Sequence, residues 1–162
     1  MSIPFLACMA AAASFYALPP RVLPAIQLVE GGRVGTVAAD ADGTADLGIM
    51  QVNTRWIATL AAVTHLPAAA VRARLTFDPC FNIAAAAAIL RTYRVETHGD
   101  LMAAIGDYHS HTPALNLGYR EAVVQAAHAL FGAPGHAAAT GSAVAGRAVA
   151  GPRGGGGGAT PR

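Results

Sequence analysis

The chain has 162 residues, of which 54% are hydrophobic and 12% charged. This fits one domain of about 100–200 residues and excludes a disordered chain or a charge-laced coiled coil. The net charge of +2 comes from eleven basic residues, all arginine, set against nine scattered acids, and the absence of a basic run speaks against nucleic acid as a partner.

Taken in chain order, the pattern is helical. Ile3, Leu6, Met9, Ala10 and Ala13 recur at helical spacing before Leu18-Pro19-Pro20, which favours an amphipathic first helix over a cleaved signal, since no positive segment precedes the apolar run. Pro20 suits a helix start, Val22, Leu23, Ile26 and Val29 form its buried stripe, and Gly31-Gly32 ends it just after Glu30. Arg33 to Asp46 reads as a polar loop, and DLGIMQVN as a structured crossing segment that is neither helix nor strand. Asn53 or Thr54 caps a helix through Ala62, Leu66-Pro67 opens a short one, and Asp78-Pro79 starts a long one to about Thr97, stopped by Gly99. Asp100 caps a helix to about Tyr108, Thr112-Pro113 makes a turn, and Tyr119, Val123, Ala126, Ala127 and Leu130 stripe the last helix. Residues 132–162, rich in alanine, glycine and proline, read as a flexible tail to a domain spanning 1–131. No segment reaches the roughly 18 apolar residues of a transmembrane span.

Few residues offer chemistry. Of three glutamates, Glu96 and Glu121 fall on amphipathic helices, whereas Glu30 follows AIQLV at a helix end, with Gly31-Gly32 behind it where backbone can approach a ligand closely. A carboxyl partly desolvated there can keep its proton near neutral pH and act as a general acid; an exposed helix-end glutamate is the plainer reading. Asp40, Asp42 and Asp46 fail the spacing of a twelve-residue calcium loop, with Ala45 at the glycine position and Gln51 at the bidentate one, so a turn-rich loop accounts for them. His109 and His111 lack a third ligand at zinc spacing, so no metal is expected. Cys8 and Cys80, the two cysteines, lie near helix starts that could be adjacent; a disulfide and a pair of buried thiols both fit.

VEGG at 29 to 32, DLGIMQVN at 46 to 53 and GDYHSHTP at 106 to 113 together resemble a lysozyme-like lytic transglycosylase domain, closest to the small branch associated with secretion systems. The resemblance covers residues from about 5 to 131. It implies an all-α domain of the α+β lysozyme-like superfamily with a substrate cleft, and it sets Glu30 as the catalytic residue. Gly48, Met50, Gln51 and Asn53 of the middle motif, with Tyr108 and Tyr119, fall at substrate-binding positions. Cys8 and the cysteine of DPCFNIAAA resemble a disulfide pair of that branch, which would place the chain in an oxidising compartment. The chain departs from the pattern at Gly31, where many relatives have serine, and at Tyr108-His109-Ser110, where the family has Tyr-Asn-Ala.

The implied reaction is cleavage of the β-1,4 bond between N-acetylmuramic acid and N-acetylglucosamine in peptidoglycan, without cofactor, in the periplasm or cell envelope. Glu30 would protonate the glycosidic oxygen and then accept the proton of the muramoyl 6-hydroxyl as a 1,6-anhydro ring closes, so a second acid is not required. Gln51 and Asn53 suit N-acetyl and hydroxyl groups, and Met50 would line the cleft. Tyr108 would hold Glu30, Tyr119 is either a second holder or a core residue, and His109 and Ser110 are cleft-edge candidates. The resemblance extends to secretion or conjugation components as partners beside glycan strands. A hydrolytic muramidase and a noncatalytic wall-binding assembly module are the alternatives.

Overall fold

Prolines, glycines and short polar side chains set where this chain turns, and helices fill the intervals. In the computed structural model, which describes residues 2–132, the order is α1 (Leu6–Phe15), α2 (Val22–Glu30), β1 (Val37–Ala39), β2 (Ala45–Leu47), β3 (Val52–Asn53), a 3-10 turn (Thr54–Trp56), α3 (Ile57–Thr64), α4 (Ala68–Phe77), α5 (Pro79–Glu96), α6 (Leu101–His109) and α7 (Pro113–Phe131). The Asp78 carboxylate accepts from the Phe81 amide at 3.0 Å and that of Asp100 from the Ala103 amide at 3.0 Å. Each satisfies a first-turn N–H that has no partner within its helix. Asn53 does the same at the 3-10 turn, its Oδ1 accepting from the Arg55 amide at 3.0 Å. The expected tail falls, from residue 133 onward, outside the described residues.

Two expectations need correction. The segment from Arg33 to Asn53 holds a three-stranded antiparallel sheet in the order β1-β2-β3, with Ala38 opposite Asp46 and Asp46 opposite Asn53. The turn joining β1 and β2 is built by side chains: Thr44 Oγ1 donates to Asp40 Oδ2 at 2.9 Å, and the Thr44 amide donates to Asp42 Oδ1 at 2.9 Å. Asp40 and Asp42, expected in a turn-rich loop, thus close a hairpin. Helix α1 also turns a different face inward, burying Met9, Ala12 and Ala13 while Leu6 and Ala10 stay exposed. It stops at Phe15 because Ala17 takes a left-handed conformation and the Leu18 amide returns to the Ala13 carbonyl at 2.8 Å.

The core comprises Met9, Leu23, Ile26, Leu47, Met50, Val71, Leu75, Ile83 and Leu90, with alanines of α5 allowing close helix approach. Helix α7 packs on α2 and α6, α6 on α5, and α5 on α1 and α4. The C-terminal end of α2 is thereby brought against α7, with α6 alongside. The Cys8–Cys80 disulfide joins α1 to the first turn of α5, with α-carbons 5.3 Å apart. Among the described residues no single helix is long and apolar enough to cross a membrane.

Candidate active site

Glu30 is the last residue of α2, and Gly31 after it adopts φ +63°, which reverses the chain without strain for glycine. Gly32 is buried against the next motif: a Cβ there would lie 2.8 Å from Gln51 Nε2 and 3.0 Å from the Ile49 carbonyl oxygen. The close approach that this glycine permits is therefore between two stretches of the chain's own backbone, not to a ligand as the sequence suggested. It fixes Glu30 relative to the loop of residues 48 to 51.

That loop is the floor of a cavity of about 480 Å³ lined by Glu30, the aspartates 40, 42, 46 and 107, Gln51, Asn53, Arg55, Trp56, Tyr93, Tyr108, His109, Ser110 and His111. Gly48 has φ +69° and Gln51 φ +50°. The two left-handed residues turn the segment so that Ile49 and Met50 enter the core while Gln51 faces the cavity, its amide donating to the Gly48 carbonyl at 2.7 Å. Met50 is 0% exposed and does not line the cleft. Its contribution is its carbonyl oxygen, which accepts from the Tyr108 hydroxyl at 2.8 Å.

Of the two tyrosines, Tyr108 departs from expectation and Tyr119 meets both of its alternatives. Tyr108 holds the floor, while Tyr119, on α7, donates its hydroxyl to Glu30 Oε1. Tyr119 is at once a core residue and a site residue, buried along its ring and stacked on His109 with centroids 4.8 Å apart. Burial pushes the Glu30 carboxyl from 4.5 up to about 7; the Tyr119 bond opposes this and the charge of Asp46 adds to it. Burial and the neighbouring carboxylate likewise raise the Tyr119 phenol, which stays protonated as a donor. Asn53 lines the cavity, but its amide serves the hairpin, donating to Asp46 Oδ1 at 2.9 Å and to Thr44 Oγ1 at 3.0 Å.

The sequence reading missed two residues. Asn82 is 0% exposed; its Oδ1 accepts from the Met50 amide at 2.8 Å and its Nδ2 donates to the Leu47 and Leu75 carbonyls, each at 2.8 Å. One side chain from α5 thus pairs three buried backbone groups of the floor and its support. The signal was a polar residue inside an otherwise apolar helix face. Asp46, assigned to a loop, sits on β2 inside the cavity with Glu30. The same cavity carries an aromatic cluster in which Trp56 meets Tyr93 edge-on at 5.8 Å and Tyr93 meets His111 at 5.3 Å.

The chain matches the family model described as Transglycosylase SLT domain over residues 7–117, a stretch that includes Glu30, the floor, Asn82 and Tyr108. No curated protein matches the chain.

Proposed function

Starting from the fact that the chain belongs to the Transglycosylase SLT domain family, which acts on peptidoglycan in the cell envelope, we propose that it cleaves the β-1,4 bond between N-acetylmuramic acid and N-acetylglucosamine and leaves a 1,6-anhydromuramoyl end. The observation that carries the reading is the Glu30 carboxyl, largely buried, raised to about 7 and held by Tyr119 on a cavity of about 480 Å³. Near neutral pH such a group exists in both states. It can protonate the leaving oxygen and then receive the 6-hydroxyl proton, two transfers that a fully exposed carboxyl near 4.5 would perform poorly. Gln51 offers an amide to N-acetyl and hydroxyl groups, and Trp56 and Tyr93 offer ring faces and edges to the sugar. The Cys8–Cys80 bond, whose cysteines resemble a pair of the secretion-associated branch, supports a role in opening the wall locally for a secretion or conjugation apparatus.

Mass analysis of muropeptides released from purified sacculi tests the reaction. Ends lighter by one water than reducing ends are expected; reducing ends alone would establish a muramidase, and no release a binding module.

Tyr119→Phe separates positioning from packing. The ring still fills the core and faces His109, but the donor to Glu30 is gone. Turnover should fall about tenfold, the equivalent of one charge-assisted hydrogen bond. Because that bond lowers the Glu30 pKa, the alkaline limb of the pH profile should move upward at the same time. A fall in turnover with the limb unmoved would assign Tyr119 to packing alone.

A further inference from the structure

Peptidoglycan glycan is an anionic polymer. The lactyl arm of each muramoyl residue ends in a carboxylate on peptide-free strands, and elsewhere it carries a peptide stem with carboxylates of its own. Resting on the substrate proposed above, we propose that Arg55 determines specificity at this site by pairing its guanidinium with a carboxylate borne on the muramoyl lactyl arm.

One side chain aims the arginine. Asn53 Oδ1 accepts from both the Arg55 amide and the Arg55 Nε, each at 3.0 Å, so the oxygen that caps the 3-10 turn also fixes the guanidinium. The other end of that amide is braced in turn, with Nδ2 donating to Asp40 Oδ2 at 3.1 Å, Thr44 Oγ1 at 3.0 Å and Asp46 Oδ1 at 2.9 Å. An arginine already held at Nε loses less side-chain freedom when its far end pairs. That far end is uncommitted: among the described residues neither Nη makes a hydrogen bond. Asp42 Oδ2 stands 4.0 Å from Nη2, and the two side chains are 62% and 60% exposed, a loose and water-screened contact. The two Nη groups therefore present a fork of parallel donors, the shape that fits the two oxygens of a carboxylate.

The charges around the cavity give this fork its meaning. Glu30, Asp40, Asp42, Asp46 and Asp107 all line it, whereas among the described lining residues Arg55 alone carries a permanent positive charge. The aspartates have donors of their own: Thr44 serves Asp40 and Asp42, and Asn116 Nδ2 donates to Asp107 at 2.8 Å. An entering carboxylate is repelled along the acidic walls and attracted at one place. Hydroxyl and N-acetyl groups are neutral and need no cation, so the charge on Arg55 discriminates by what hangs from the lactyl arm and not by the sugar ring itself.

The test reads binding and cleavage separately. Peptide-free glycan strands are prepared with the lactyl carboxylates intact or converted to methylamides. Binding is measured with the Glu30→Gln protein, and cleavage with Glu30 in place. The intact strands should bind about three- to tenfold more tightly, with KM lower by the same factor and kcat within about twofold, and the preference should shrink as salt rises. Arg55→Gln should erase it, Arg55→Lys should keep its sign, and Asp42→Asn should widen it by removing a competing anion. Strands with complete stems, their carboxylates free or amidated, form a second arm. A preference in the first arm assigns the lactyl carboxylate, and one in the second alone assigns the stem. Thermal melts accompany each variant, and Arg55→Lys carries the comparison if Arg55→Gln folds poorly. The same preference in wild type and Arg55→Gln, or none in either arm, would overturn the proposal. Reducing ends, or an inert wild type, would count against the reaction above and leave the binding comparison intact. Failure of the Glu30→Gln protein to bind any strand would overturn both.

Discussion

Glu30→Gln should reduce release from purified sacculi by more than about 10³-fold while leaving a folded domain, because the amide keeps the shape and an oxygen for Tyr119 but cannot exchange a proton. The same variant should be the more stable protein at alkaline pH. In the unfolded chain the Glu30 carboxyl ionises near 4.5, whereas in the fold burial first, and Asp46 second, hold it at about 7. A carboxyl raised by folding favours the fold through its neutral form. That contribution is whole below 4.5 and is lost as the pH climbs through 7, to a limit of about 3 kcal/mol. Glutamine never ionises, so the melting temperatures of the two proteins should coincide at pH 4 and diverge in favour of the variant above pH 7. Cleavage by the wild type should decline through the same interval as its general acid deprotonates. A folded variant with near-wild-type turnover would remove Glu30 from the reaction.

The same carboxyl illustrates what the sequence makes legible. Its place at the end of a helix follows from an apolar stripe and two glycines, and the caps at Asn53, Asp78 and Asp100 follow from residue type and position; all of these are local effects. The strands were hidden because they are short: β1 has three exposed residues, with no alternation to read. The motif's linear order points Met50 at the cleft because it conceals two left-handed residues that rotate one side chain inward and the next outward. Of the two candidate holders, Tyr119 reaches Glu30 and Tyr108 does not, because which hydroxyl arrives there depends on how α6 and α7 pack, not on spacing. The partners of Asn82 and Asp46 lie 32 and seven residues away respectively; a polar residue on an apolar helix face marks Asn82 as unusual, but nothing local says what either residue pairs with.

Replacing both cysteines, as Cys8→Ser with Cys80→Ser, should cost about 4 kcal/mol. The bond closes a loop across a sequence separation of 72, and on the chain-entropy account a loop of that length restricts the unfolded ensemble by about that amount. Such a loss is a large part of an ordinary stability of about 5–15 kcal/mol, and the melting temperature should drop by about 10–20 °C. Reductant should lower the wild type toward the variant and leave the variant unmoved; a wild type indifferent to reductant would show that the bond contributes nothing. The effect on cleavage should be much smaller than the effect on stability. Cys80 lies in the first turn of α5, between the Asp78 cap and Asn82, which reaches the floor through Met50, Leu47 and Leu75. The cap and those three hydrogen bonds survive the replacement. Below its melting temperature, then, each folded variant molecule should keep near-wild-type turnover, and a variant that folded but cleaved poorly would mean that the disulfide itself holds the floor in place.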